Sequence, residues 1–160
     1  MNQDTKPLVP VWYWAIAIVA LLWNLLGCFF FGMELFYQEE MMVDFTEAQK
    51  EWSRSIPVWI YVLFGISVFS GTGGSFGLLM RKQCSRWLLD LSLATVLIQM
   101  GYTMILAGGF KVMGPQGAIM PIVVISIGSF LVWFVRYARR REWLHACKPA
   151  SGNHDTDAVD

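Results

Sequence analysis

Residues 11–33 read VWYWAIAIVALLWNLLGCFFFGM, a stretch that carries no charged side chain. An α-helix rises about 1.5 Å per residue, so about 20 apolar residues cross the roughly 30 Å of hydrocarbon in a bilayer. Similar apolar stretches follow at residues 58–80, 87–109 and 118–137. Apart from Arg136 near the end of the last stretch, only Asp90 is charged within them. The pattern predicts four transmembrane helices, called spans one to four below.

The composition and the connections between spans indicate how these helices are organised. Hydrophobic residues make up 56% of the 160 residues and charged residues 15%, which is too apolar for an ordinary soluble domain. The connections at residues 81–86 and 110–117 are short, so the helices that they join are antiparallel neighbours. We therefore predict an all-α, up-down-up-down bundle within one transmembrane domain over residues 1–147. Residues 148–160 are rich in Pro, Ser, Gly, Asn and Asp and predict a disordered tail.

With four spans, nine of the basic residues fall on one side of the membrane and three fall on the other. The nine are Lys6, Arg81, Lys82, Arg86, Arg136, Arg139, Arg140, Arg141 and Lys148, and the three are Lys50, Arg54 and Lys111. Short loops rich in Lys and Arg stay in the cytoplasm, so both termini are predicted to be cytoplasmic. We expect a multi-pass protein of the cell inner membrane.

Two further features bear on the compartment. A cleaved signal peptide is the alternative interpretation of span one, but residues 32–35 offer no pair of small residues for cleavage. Cys84 and Cys147 lie on the predicted cytoplasmic side, where we expect their thiols to stay reduced. The first span is therefore predicted to remain as a membrane anchor.

The loop between spans one and two is acidic and contains a helix-start signal. Thr46 followed by Gln49 has the form of a capping box, which predicts a short helix over about residues 46–55. Phe45, Ala48 and Trp52 would share one face of it, so the helix would rest on the membrane or cap the bundle. The acidic loop is either a solvated connector or a site for a cation or a partner.

Polar residues inside the spans should face the bundle interior, because lipid does not hydrogen-bond to them. Asn24 is 13 residues beyond Val11 and Gln99 is 12 beyond Trp87, so both lie about 18–20 Å from the cytoplasmic boundary. Their amides could bond to each other and fasten the helices together. Alternatively they belong to a pocket for an uncharged hydroxylated ligand. The candidate pocket comprises Trp23, Asn24, Ser67, Gln99, Tyr102 and Ser126.

Asp90 is the one ionisable residue well inside a span. It lies about one turn from the cytoplasmic end, with Arg86 four residues before it, which predicts an interfacial ion pair. A proton-linked role is the alternative.

Span two is rich in glycine and serine. Gly71, Gly73, Gly74 and Gly77 form small-xxx-small patterns together with neighbouring serines, and such patterns let helix backbones approach closely. They cover more than one face, so one face can pack within the bundle while another pairs protomers. The protein is accordingly expected to form a homo-oligomer or to bind a membrane-protein partner.

The last span ends in a basic cluster followed by Trp143 and Leu144. Four arginines, Arg136, Arg139, Arg140 and Arg141, predict a helix that leaves the bilayer and lies against anionic lipid headgroups. The alternative is a topology signal alone.

The residue pattern gives little support for catalysis or for a cofactor. Both histidines, His145 and His154, follow the last span, so no haem or histidine-rich metal site can be built between the helices. No nucleophile, base and acid form a recognisable set. We expect neither an enzyme nor a cofactor or metal, and no nucleic-acid partner.

Several short motifs carry a family resemblance. They are Trp12-Tyr-Trp14, the LLWNLLG run at residues 21–27, Ile56-Pro-Val-Trp59, the glycine-rich run from Gly71 to Arg81-Lys82, and QMGYT at residues 99–103. With them the chain resembles small bacterial four-span membrane proteins that have no established activity and are sometimes labelled sugar transporters. The resemblance covers spans one to three and implies no catalytic residue. We expect an accessory, scaffold or lipid-facing subunit, or alternatively a small-solute carrier, for sugars or polyols, that acts as an oligomer.

The predicted orientation can be tested with alkaline phosphatase fusions, which are active only outside the cytoplasm. A fusion after Gln83 should be inactive and a fusion after Glu47 should be active, because the basic residues retain the 81–86 loop inside. An active fusion after Gln83 together with an inactive fusion after Glu47 would show the opposite orientation.

Overall fold

The computed structural model describes residues 9–145, and the chain is helical throughout this range apart from its turns and one isolated bridge between Lys82 and His145. The helices are α1 (Val11–Phe36), α2 (Gln38–Met41), α3 (Glu47–Arg54), α4 (Val58–Leu79), α5 (Ser85–Gly101), α6 (Gly109–Met113) and α7 (Ile119–Arg140). Four segments are long and apolar enough to cross a membrane, which confirms the predicted all-α fold class. The tail predicted over residues 148–160 lies outside the described residues.

The four long helices pack in the order in which they occur in the chain. The α4 helix packs between α1 and α5, and α5 packs in turn against α7. Tyr13 near the start of α1 contacts Leu78 near the end of α4, and Asp90 near the start of α5 contacts Arg136 near the end of α7, so both pairs are antiparallel. A short turn joins α4 to α5, which makes these two helices antiparallel as well. The bundle is therefore up-down-up-down, with α4 and α5 at its centre.

The third span ends earlier than the sequence predicts. The α5 helix continues as a π-helical turn over Tyr102–Leu106, and Gly108 then adopts a left-handed conformation with φ of 74°. Glycine tolerates this conformation because it has no Cβ. The chain re-enters α7 through the short helix α6 and a 3-10 turn at Pro115–Ala118. The predicted span to residue 109 is thus wrong in its last residues.

The helix α3 caps the bundle at the end opposite the arginines. Thr46 and Gln49 form the capping box, in which the Thr46 N–H donates to Gln49 Oε1 at 2.9 Å and Gln49 N donates to Thr46 Oγ1 at 3.4 Å. The indole N–H of Trp52 donates to the carbonyl of Ala107 at 2.7 Å. This bond connects α3 to the residues that follow the π-helical turn, so α3 docks on protein.

Three of the four glycines of the candidate packing face lie at close helix contacts. A Cβ added at Gly74 would lie 2.7 Å from Leu89 Cγ, and one at Gly77 would lie 2.7 Å from Ser85 Oγ. A Cβ at Gly71 would overlap Asn24 Oδ1 of α1 and would lie 2.9 Å from Ser92 Oγ of α5. A Cβ at Gly73 would meet only Leu88 Cδ1, at an ordinary 3.5 Å. The close face is therefore Gly71, Gly74 and Gly77, without Gly73.

The arginine-bearing end closes through an aromatic cluster of Trp12, Tyr13, Phe134, Tyr137 and Trp143. Tyr13 is fully buried, and its hydroxyl donates to the carbonyl of Leu78 at 2.7 Å. Trp143 is only 8% exposed. The cluster holds α1, α4 and α7 together at this end.

The chain after α7 turns back into the bundle instead of continuing as the predicted interfacial helix. The α7 helix ends at Arg140, and Glu142, with φ of 58°, reverses the chain so that Trp143 and Leu144 turn into the core. His145 N then donates to the carbonyl of Arg81 at 2.6 Å. The expectation of an interfacial helix through Trp143 and Leu144 is wrong, because these apolar side chains gain more by burial against Trp12 and Tyr13.

Cys84 is disulfide-bonded, so the expectation of a reduced thiol at this position is wrong. Cys147 lies outside the described residues. The orientation stays a prediction that the fusion experiment decides.

The glycine contacts generate a stability test with a matched control. Gly71→Ala should lower the free energy of unfolding by about 1–3 kcal/mol, because the new methyl group displaces Asn24 and Ser92. Gly73→Ala should leave it unchanged or raise it by up to about 1 kcal/mol, since alanine favours the helix. Thermal unfolding in detergent, followed by circular dichroism, measures both. Equal stability of the two variants would contradict the assigned face.

Candidate binding site

An inner cavity of about 210 Å³ lies between α1, α4, α5 and α7. Its polar lining residues are Trp23, Asn24, Ser67, Ser92 and Gln99, and the remainder is glycine, Met, Phe, Leu, Ile and Val. Four residues of the candidate pocket, Trp23, Asn24, Ser67 and Gln99, therefore meet at one cavity. The convergence follows from the close α4 contacts, which bring α1 and α5 together around Gly71.

The predicted hydrogen bond between Asn24 and Gln99 does not form. The Asn24 amide nitrogen donates to its own helix at Ala20 O, at 2.9 Å, and to Ser75 Oγ of α4, at 3.1 Å. Gly71 leaves the space in which this amide lies against α4. The Asn24 amide consequently fastens α1 to α4 rather than to α5.

Two serines join α4 to α5 at the cavity wall. Ser92 Oγ donates to the carbonyl of Ser67 at 2.8 Å, and Ser67 Oγ donates to the carbonyl of Ser92 at 3.4 Å. Both hydroxyl protons are therefore engaged in hydrogen bonds to backbone carbonyls. Ser92 is absent from the candidate set, although it precedes Gln99 by seven residues and so shares its helix face.

Gln99 is the exception among these satisfied groups. The side chain is 8% exposed, and its Oε1 atom is buried without a hydrogen-bond partner in the described part of the chain. An unsatisfied buried acceptor destabilises a fold by about 1–3 kcal/mol. Gln99 lines the inner cavity, so a molecule with a donor group could satisfy it there.

The two remaining candidate residues do not line the cavity. Tyr102 lies in the π-helical turn and packs edge-on against Trp59, with 4.8 Å between ring centroids. Ser126 is exposed on α7, and its hydroxyl donates to the carbonyl of Ile122 at 2.7 Å. Including them in the pocket is wrong, because Tyr102 packs against Trp59 instead and because the Ser126 hydroxyl bonds to its own helix on the outer face.

A second, outer cavity of about 490 Å³ lies beneath the cap formed by α3. It has four lining residues in common with the inner cavity: Phe64, Gln99, Met100 and Met120. Six methionines line it, namely Met41, Met42, Met100, Met104, Met113 and Met120. Among the residues that the structure describes, Glu34 is its one charged lining residue. Sequence reasoning missed this cavity because its walls come from the loops and from all seven α-helices named above.

Asp90 lies apart from both cavities, near the arginine-bearing end. Arg136 Nη2 lies 3.1 Å from Asp90 Oδ1, and Arg86 Nε lies 3.5 Å from Oδ2. The Arg86 contact is a long ion pair rather than a hydrogen bond, since Arg86 Nε is without a hydrogen-bond partner in the described residues. Asp90 therefore connects α5 to α7 through Arg136, a contact that the sequence does not suggest.

Comparison with protein-family models, curated proteins and solved structures gave no match for this chain. The described residues also contain no group of three or more His, Cys, Asp or Glu side chains that could hold a metal ion. The functional argument therefore depends on the two cavities themselves.

The outer cap can be tested through Trp52. Trp52→Phe keeps the ring but removes the hydrogen bond to Ala107, a net loss of about 0.5–1.5 kcal/mol. Because the cap would open more often, trypsin should cleave at Lys50 and Arg54 about two- to tenfold faster than in the unmodified protein. Trp87→Phe is the control, since Trp87 is 73% exposed and lies at the other end. Unchanged cleavage in Trp52→Phe would contradict the docking role.

Proposed function

We propose that this protein is a non-enzymatic, multi-pass membrane protein that binds a small, largely apolar molecule with one hydrogen-bond donor. The binding site is the inner cavity, and the recognition group is Gln99 Oε1. In this role the protein serves as an accessory or lipid-facing subunit. The observation that carries the proposal is the buried acceptor of Gln99 at a cavity wall, which has no hydrogen-bond partner between residues 9 and 145.

The size and the lining of the inner cavity support this class of ligand. A cavity of about 150 Å³ lined by aliphatic and aromatic side chains stays free of water and accepts a benzene-sized molecule. The inner cavity, at about 210 Å³, is larger and mostly apolar, with a few polar groups on its walls. A ligand with a single ring and a hydroxyl group would bury its apolar part and donate to Gln99.

The lining does not favour a sugar or polyol carrier. A polyol carries several hydroxyl groups into the cavity, and each needs a partner to offset its loss of hydration. The hydroxyl groups of Ser67 and Ser92 already donate to backbone, and the Asn24 amide is bonded to Ser75. The walls of the inner cavity therefore suit a ligand with one hydrogen-bond donor better than a ligand with several.

The surface of the bundle supports a lipid-facing role. Side chains such as Val19, Leu22, Phe29 and Ile122 are at least 60% exposed on the long helices. Arg139, Arg140 and Arg141 are exposed at the end of α7 and stay available for anionic headgroups. Arg136 is in part committed to Asp90. We also propose the inner membrane as the location, and a second copy of the chain or another membrane protein as the partner of this surface.

Phenol and toluene form a probe pair that tests the donor requirement. The purified protein in detergent should bind phenol about two- to tenfold more tightly than toluene in a saturable manner, because one hydrogen bond contributes about 0.5–1.5 kcal/mol. Gln99→Leu should abolish this preference, and ligand-observed NMR measures both affinities. Gln99→Leu should fold, since leucine removes the unsatisfied amide.

Gln116→Leu is the matched control, because Gln116 is exposed and lines only the outer cavity. It should retain the preference for phenol. Equal binding of the two probes by the unmodified protein, or a preference that survives Gln99→Leu, would remove the proposal.

A further inference from the structure

We propose that the outer cavity is a binding site for a hydrophobic organic monocation, such as an aromatic quaternary ammonium compound, with Glu34 as its counter-charge. This inference goes beyond the proposed function, because the ligand is charged and because its recognition group, Glu34, lines the outer cavity.

The charge balance of the outer cavity leads to this ligand. Glu34 lies near the end of α1, is half-buried, and has no ion-pair partner within residues 9–145. Two basic residues on this side are committed elsewhere, since Lys50 pairs with Glu47 at 3.0 Å and Arg54 with Glu39 at 2.8 Å. A carboxylate at the edge of the bilayer without a protein partner favours a cationic ligand.

A second, independent observation is the Gln99 side chain at the inner end of the same cavity. It is more than nine-tenths buried, and its Oε1 atom has no partner among the described residues. The negative end of this amide dipole is available to a positive charge, as the Glu34 carboxylate is. Glu34 and the Gln99 acceptor therefore favour the same sign of charge.

The walls suit the apolar body of such a cation. Phe45, Trp52, Tyr61 and Phe64 line the cavity, and aromatic faces attract cations that approach within about 6 Å. The six methionines add flexible, polarisable surface that adapts to ligands of different shapes. The volume of about 490 Å³ lies within the usual range for small-molecule sites.

The same features argue against a metal ion. Hard cations need six or more oxygen ligands, whereas Glu34 is the one carboxylate at this cavity. The methionine sulfurs could suit a soft ion such as Cu(I), but an ion would leave most of the volume unfilled. An organic cation uses the carboxylate, the rings and the space together.

Benzyltrimethylammonium and neopentylbenzene test the proposal, because they have the same shape and differ only in charge. The full chain in zwitterionic nanodiscs should bind the cation saturably and about tenfold or more tightly than the neutral probe. Glu34→Gln should remove this difference, whereas Glu34→Asp should restore most of it. Glu40→Gln is the control, because Glu40 is exposed and does not line the cavity. Equilibrium dialysis with each probe gives the affinities.

Each outcome decides the proposal. Equal binding of the two probes by the unmodified protein, or a cation preference that survives Glu34→Gln, would overturn it. Tight Cu(I) binding that excludes benzyltrimethylammonium would also overturn it in favour of a metal site. Unchanged thermal unfolding of Glu34→Gln together with the lost preference would support it. Failure of this proposal is distinguishable from failure of the inner site, because Gln99→Leu should abolish the preference for phenol whereas Glu34→Gln should leave it unchanged.

Discussion

Hydrocarbon offers no hydrogen-bond partner, and this constraint governs the polar residues of the four spans. Ser67 and Ser92 meet it by bonding between α4 and α5, whereas other hydroxyl groups donate to carbonyls one turn earlier in their own helices. Thr72 Oγ1 donates to Val68 O at 2.7 Å, and Thr95 Oγ1 donates to Leu91 O at 2.9 Å. Such bonds make a hydroxyl group tolerable anywhere on a transmembrane helix. An intramembrane serine or threonine is therefore weak evidence for a binding site in this protein.

Carboxamides cannot be satisfied so simply, because each has two donors and a carbonyl acceptor. The Asn24 amide is hydrogen-bonded across the contact between α1 and α4, where Gly71 leaves space for it and Ser75 Oγ accepts its hydrogen bond. Gln99 lies opposite a cavity instead, and its acceptor stays without a partner in the described residues. The difference between the two amides is thus a difference in helix spacing, since α4 lies close to its neighbours while α5 and α7 leave space.

The two ends of the bundle are closed by different means. At the arginine-bearing end, Trp143 returns from beyond α7 and packs against Trp12 and Tyr13. At the other end, Trp52 of α3 docks on Ala107, and the helix covers a cavity rather than a packed core. The arginine-bearing end is thus a packed aromatic core, whereas at the capped end methionine side chains and short helices form the walls of a cavity.

Much of the fold follows from the sequence, because twenty apolar residues in lipid can satisfy their backbone only as a helix. The four spans, the capping box at Thr46 and the close approach at Gly71 all depend on local pattern. Four of six pocket residues were predictable for the same reason, since polar groups on one helical face turn inward together. What only the tertiary structure decided depends on contacts between distant segments: the return of Trp143, the pairing of Asp90 with Arg136, and the meeting of Glu34 with Gln99 at one cavity. Helical periodicity assigns a residue to a face, whereas the spacing and rotation of packed helices determine which residue it meets.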